Sequence, residues 1–426
     1  MQKVIRRIGL STLSMLLVFG AWAQVTYSPY SILGVGELNS MDLVHNRAMG
    51  GLGISSGDAF FLNNKNPALL TYNRVVVFEA GLSTEQKSLR TSELSQKNFT
   101  GGLSHLAFGF PAIKDKWTIS FGLMPFSTVN YQSTSLGIVQ GGSSQLLTSF
   151  DGSGGISQAY FATGFKATES LSLGLRSSYI FGTIRRETSF LIENTNFQTV
   201  NLERNSFSDF AWGLGAAYNI EIKENEDYLN FGIIYDFGGD RKVTRLERLE
   251  RRDLGGDLLS PADTLPYLIT DNVKGTVKFP STLGLGVSYD KRFKWSVGLD
   301  VVLAPWSEYE NFDGEVTGLN DMTNVALGGS WTPDLFSASN YLKRITYRLG
   351  FNYQQTPYKV NNTDITDFGI NFGITLPLRN LSRLNLAFKV GQRGTTDDNL
   401  IRETYFKAYL GLTVNDNKWF IRRKFD

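Results

Sequence analysis

Short stretches of strict apolar/polar alternation recur roughly fourteen times between Val75 and Val414, joined by connections that are alternately short and long. In Lys294–Leu303, KWSVGLDVVL, Trp295, Val297, Leu299, Val301 and Leu303 share one face, and Lys294, Ser296, Gly298 and Asp300 share the other. The two-residue period of a strand turns that pattern into an apolar wall and a polar wall. No apolar helical stretches intervene. The expected fold is therefore all-β, a transmembrane antiparallel β-barrel of about fourteen strands, greasy outside and wet inside.

Short turns are expected at Lys114–Lys116, Thr168-Glu169, Lys223–Asp227, Lys291-Arg292 and between Leu378 and Arg383, and the longest connection is Asp236–Phe279. Bacterial barrels keep short turns in the periplasm and long loops outside, which places both mature termini in the periplasm. Within the longest connection, Arg241–Asp253 carries mixed charge with Val243, Leu246 and Leu249 at helical spacing. It reads as a solvated helix or an extended hairpin, with enough basic excess to meet the phosphates of lipopolysaccharide.

Composition excludes several function classes. A net charge of +2 gives no footprint for nucleic acid, and the absence of Cys removes disulfides, thiolate catalysis and a lipoprotein anchor. His45 and His105 stand far apart with no metal or triad setting, so no cofactor and no enzymatic activity are expected. Gly152-Ser153-Gly154-Gly155 lacks the following Lys of a phosphate loop, and Asn311–Glu315 is only a fragment of a calcium loop.

The N-terminus carries Lys3, Arg6 and Arg7, an apolar run from Ile8 to Gly20, and Ala21-Trp22-Ala23 as a cleavage site. Residues 1–23 read as a signal peptide, and export plus alternation points to the outer membrane of a Gram-negative cell. Residues 24–74 do not alternate; they are Gly-rich and apolar, too rich in Ile, Leu, Met and Phe for a disordered leader. They read as a plug ahead of the barrel proper, 75–426. Within it, Asn66 is a helix cap and Pro67 a first helical residue, followed by Ala68-Leu69-Leu70.

These pieces resemble the FadL/TodX-type outer-membrane transporters of hydrophobic compounds. The resemblance rests on Asn66-Pro67-Ala68 in the leader, Met124-Pro125-Phe126 at the end of the third strand, and the pair FPSTLGLGVSYD and WSVGLDVVLAPWSEY. TYRLGFNYQQTPY follows in the same order. The leader departs from the commoner pattern, having no Gly after Ala68, and the chain ends in Lys424-Phe425-Asp426 rather than on an aromatic residue. The resemblance implies transport of long-chain fatty acids or similar hydrophobic molecules, with a lumenal site and a sideways exit. It also admits a diverged branch that binds a protein instead, as secretion-accessory barrels of the type IX pathway do.

A sideways exit needs a broken ladder, and Pro125 has no N–H to give one; Pro125 and Phe126 are the candidate gate, unless they lie beyond the strand's end in a loop. A fatty acid needs a cation for its carboxylate. Arg176, Arg348, Lys389 and Lys407 lie on polar faces, with Arg348 preferred for its place in the family-like segment. Lumenal charges also pair with one another or with the plug, Glu37 and Asp300 among them. Outer-membrane lipids surround such a barrel in any case.

Overall fold

The computed structural model describes residues 27–224, 226–259, 270–379 and 381–417, so the expected signal peptide and the terminal KWFIRRKFD lie outside the described residues. One short strand, β1 (Glu37–Leu38), precedes the wall. Seven strands follow: β2 (Val76–Arg90), β3 (Ser95–Ile113), β4 (Trp117–Ile138), β5 (Gln145–Lys166), β6 (Leu171–Ile192), β7 (Phe197–Lys223) and β8 (Asp227–Asp236). A hairpin, β9 (Gly239–Asp253) and β10 (Thr270–Phe279), leads to β11 (Thr282–Lys291), β12 (Trp295–Ala304) and β13 (Met322–Trp331). The last four are β14 (Thr346–Val360), β15 (Thr363–Pro377), β16 (Arg383–Arg393) and β17 (Arg402–Asp416).

The wall is a closed barrel of 14 antiparallel strands, β2–β8 and β11–β17. It closes where β17 meets β2, from Arg402 opposite Arg90 to Asp416 opposite Val76, and β8 passes directly to β11 across the hairpin. The alternation decides which way side chains point. On β12, Trp295, Val297, Leu299 and Leu303 are exposed, while Gly298, Asp300, Val302 and Ala304 are buried. The exposed apolar belt runs around the other strands through residues such as Phe121, Phe161, Leu175, Phe210 and Phe372. An apolar exterior is stable only in lipid.

In the long connection Asp236–Phe279, the extended hairpin forms and not the solvated helix. β7 is 27 residues long. Its short-turn half pairs with β8, and its outer half pairs with β9, from Phe197 opposite Asp253 to Phe207 opposite Val243. The outer half of β7 presents an open row of N–H and C=O groups, and ladder bonds to it override the helical spacing of Val243, Leu246 and Leu249. Val243 and Leu246 are buried in the resulting strand. Its basic residues are engaged: Arg245 with Asp313 and Glu203, Arg252 with Glu187 and Glu250.

Candidate functional site

The leader, residues 27–74, lies against the inward face of the wall. Its first described residue, Tyr27, meets Gln132 on the long-loop half of β4, whereas β17 runs to Asp416 on the short-turn side. Wall glycines let the leader's backbone come close. A Cβ on Gly328 would lie 2.2 Å from the Met49 carbonyl oxygen, and one on Gly215 would lie 2.2 Å from Asn66 Oδ1. Asn66 caps the turn Pro67–Tyr72 by accepting the Ala68 N–H at 3.0 Å, and its amide donates to the wall carbonyl of Ala216 at 3.1 Å. Pro67 and Ala68 rest on Gly174, where an added Cβ would lie 2.3 Å from Ala68 N.

Charge fixes the leader as firmly as shape. Asp300 Oδ2 accepts the N–H groups of Gly53 at 2.8 Å and Ile54 at 2.9 Å, with Lys65 Nζ 3.7 Å away. On the opposite wall, Glu37 of β1 joins a buried cluster of four carboxylates (Glu37, Glu85, Asp367, Glu403) and four cations (Lys87, Lys389, Arg393, Lys407). Arg393 reaches Glu37 at 2.9 Å and Asp367 at 3.0 Å. Burial alone would raise the Glu37 carboxyl, but Arg393, Lys87 and Lys407 outweigh it and hold the group well below the ordinary carboxylate range. A depressed carboxyl contributes its full stability above the unfolded value of about 4.3 and loses it only as pH falls through the lower folded value. Glu37 should thus stay ionised and paired with Arg393 at pH of about 4. Infrared difference spectra of the wild type against Glu37→Gln should show no protonation of this carboxylate between pH 7 and pH about 4, and its protonation between these values would contradict the assignment.

The wall parts between β3 and β4. β3 and β4 pair from Ile113 opposite Trp117 to Leu106 opposite Leu123, and no further. Both strands run on: β3 stays on β2 as far as Ser95, and β4 stays on β5 as far as Ile138. Two irregularities meet at the parting. β3 slips against β2 between Gly81 and Leu82, leaving Ser104 as an extra residue, and β4 bulges against β5 between Pro125 and Ser127, leaving Phe126 extra. Pro125 thus lies inside β4, opposite Ser157, and not in a loop.

The short strand β1 takes the edge that β3 leaves, with Glu37 opposite Thr128 and Leu38 opposite Ser127. Exposed Phe99, Leu103 and Leu123 flank the break, so its mouth is apolar. Behind it His105 turns inward against Glu79 at 3.4 Å.

A cavity of about 320 Å³ lies between the leader and the long loops, and it reaches the break through Phe126. Phe126 stacks on Phe279 at 5.8 Å, and Phe279 meets Trp306 at 6.0 Å. Ile180, Ile234 and Met322 extend this apolar side. Three of the four expected cations line the cavity, and each already holds a carboxylate: Arg176 holds Asp236, Lys389 holds Asp367 at 3.3 Å, and Lys407 holds Glu85 at 3.5 Å. Arg348 is not with them. It lies at the short-turn side of the leader, bonded to Thr375 with its guanidinium over Phe61.

A family model described as BamG matches residues 4–426. The chain belongs to the BamG family. No curated protein matches its sequence. Solved structures give the fold of this BamG-family chain. The toluene transporter TodX of Pseudomonas putida superposes with a TM-score of 0.55 at 17% identity, covering 90% of this chain and 99% of that one. The toluene transporter TbuX of Ralstonia pickettii gives 0.52 at 14%, covering 87% and 97%. A FadL homologue of Pseudomonas aeruginosa gives 0.54 at 12%, covering 89% and 98%. The fold is that of the FadL/TodX-type outer-membrane barrels.

Sequence reading of this BamG-family barrel missed several residues. Lys87, Glu85 and Glu403 sit on inward positions of β2 and β17, and their signal was an ionisable residue in the polar register of an otherwise apolar strand. Arg383 was missed because it opens β16 directly after a turn, where a charge is ordinary. Nothing local distinguishes Gly174 or Gly215 from any other strand glycine.

Proposed function

We propose that this chain conducts small hydrophobic molecules through the outer membrane. The leader acts as a plug that closes the axial route. Cargo enters among the long loops, rests in the cavity beside Phe126, Phe279 and Trp306, and leaves sideways between β3 and β4. The parting of β3 from β4 beside that cavity carries this reading. An apolar molecule gains about 0.8 kcal/mol per CH₂ on leaving water, so a path from pocket to lipid is downhill where a path through the periplasm is not.

Most cations around the cavity already hold a carboxylate and Arg47 and Arg241 are bonded to backbone carbonyls, which favours neutral cargo or chains whose acid group gets no dedicated contact there. Fatty acids are then one cargo among several. Uptake of a radiolabelled alkane and of the matching fatty acid, in cells lacking other such barrels, should rise on expression of this chain, with no large preference for the acid. Cells that take up neither better than barrel-free controls would contradict the proposal.

Pro125→Ala tests the exit. The alanine restores an N–H where β4 has none, which favours a closed ladder by about 1 kcal/mol. Uptake should fall about fivefold, the equivalent of that energy, while the heat-dependent gel shift of a folded barrel persists. Unchanged uptake would place the exit elsewhere.

A protein-binding role is the second reading. The outer end of β4 carries Leu136 and Ile138, with Leu94 between β2 and β3, all strongly exposed beyond the belt. A barrel that transports nothing but co-purifies with one stoichiometric protein would favour it.

A further inference from the structure

The short-turn end of the lumen holds a second cavity of about 400 Å³, separate from the one beside the break. Its roof is the leader, with Phe60 and Phe61 facing Arg348 of β14 and Arg383 of β16. Arg383 lies over the Phe60 ring at 4.2 Å and over Phe61 at 5.7 Å, while Arg348 lies over Phe61 at 5.5 Å. His45 stacks on Phe61 at 4.5 Å. Both arginines are only 7% exposed. The Nε of each has no hydrogen-bond partner, and among the described residues neither forms an ion pair.

Among the acids of this cavity, Asp58 is near enough for its charge to act on both arginines but forms an ion pair with neither, and each acid has another partner. Asp58 accepts the Phe60 N–H at 2.7 Å, Asp290 takes the Asn230 amide, Asp115 holds Arg74 at 2.8 Å and Glu169 holds Lys166 at 2.7 Å.

Two buried guanidiniums side by side repel each other, and a ring face compensates a desolvated cation only in part. A carboxylate answers both through paired N–H···O bonds that the guanidinium fork is shaped for. Around this point Phe60, Phe61 and Tyr72 offer apolar surface for the rest of a molecule. The volume is within the range of small-ligand sites, roughly 300–1,000 Å³. We infer that this cavity is a receptor for a small organic acid, a carboxylate with an aromatic or short aliphatic body, entering from the short-turn side. The site does not depend on transport through the break. It differs from the other cavity in setting two such guanidiniums together over aromatic rings, whereas Arg47 and Arg241 of the other cavity, also in no ion pair among the described residues, are bonded to backbone carbonyls.

The chain has no cysteine, so a single one reports cleanly. Ser330 lines this cavity directly opposite Arg348 in the β13–β14 ladder. Ser330→Cys in the full barrel, purified in a neutral sugar detergent, would be labelled with a thiosulfonate carrying either a sulfonate or a trimethylammonium group. The sulfonate reagent should react about tenfold faster or more, since it meets the guanidiniums, and 4-phenylbutyrate should protect the thiol at concentrations about tenfold lower than 4-phenylbutanol.

Both preferences should vanish in Arg348→Met/Arg383→Met. If that variant loses its heat-dependent gel shift, the two comparisons in the Ser330→Cys barrel with both arginines intact still decide. Equal labelling by the two reagents, or equal protection by acid and alcohol, would overturn the inference. Protection by a peptide ending in a free carboxylate, but not by 4-phenylbutyrate, would overturn it in favour of a protein ligand.

Discussion

Asp300→Ala should turn a closed barrel into a conducting one. Asp300 is almost fully buried on β12 and holds the leader by three contacts: the N–H groups of Gly53 and Ile54 and the ammonium of Lys65. Alanine leaves two donors without that acceptor and Lys65 paired with Asp42 alone, at 3.6 Å, a loss of up to about 3–5 kcal/mol. The wall itself keeps its ladders, so the heat-dependent gel shift should survive. Single-channel recordings in planar bilayers should show long open events in the variant and a closed baseline in the wild type. Asp300→Asn keeps an acceptor oxygen and should open far less often. A folded Asp300→Ala barrel that stays closed would show that the leader is held elsewhere.

Lys87→Met should have an effect of similar size on the wall. The ammonium is 2% exposed and lies 3.5 Å from Glu37, 3.4 Å from Glu85 and 3.2 Å from Glu403. Its loss leaves four buried carboxylates with three cations, at a cost of about 3–5 kcal/mol. The temperature at which the folded gel band is lost should drop clearly. Adding Glu403→Gln removes one of the excess charges, so the double variant should be more stable than Lys87→Met alone, a coupling that independent sites do not show. Additive losses would mean that the cluster does not act as one unit.

The barrel was legible because a two-residue period and the short/long rhythm of connections are local signals. Each of the fourteen expected segments coincides with a wall strand, though β4 to β7 run well beyond the belt. For Arg241–Asp253 the sequence left helix and extended hairpin open; the hairpin β9–β10 is what forms, and the choice was not legible because its partner is the far end of β7, tens of residues away. Asn66-Pro67 announced its own turn, since cap and proline act on their immediate neighbours.

Pro125 marked a ladder defect, yet the slip at Ser104 that meets it depends on the register of β3 against β2, which one strand's sequence does not carry. The cations show the same limit. Alternation placed Arg176, Lys389 and Lys407 inward, but which carboxylate faces each, and that Arg348 stands apart beside Arg383, follows from barrel closure and from the path of the leader.

The proposed route is tested most directly by an alkane carrying a photoreactive diazirine, irradiated in intact outer membranes containing the wild-type barrel, with adducts mapped by mass spectrometry. Every lipid-facing residue of the belt will be labelled. The expected result is a second set of adducts inside, on Phe126, Phe279 and Trp306, together with the lips of the break at Leu103 and Leu123, displaced by excess unlabelled alkane. Adducts confined to the outward belt, with none on those three lumenal rings, would contradict a hydrophobic path through this barrel.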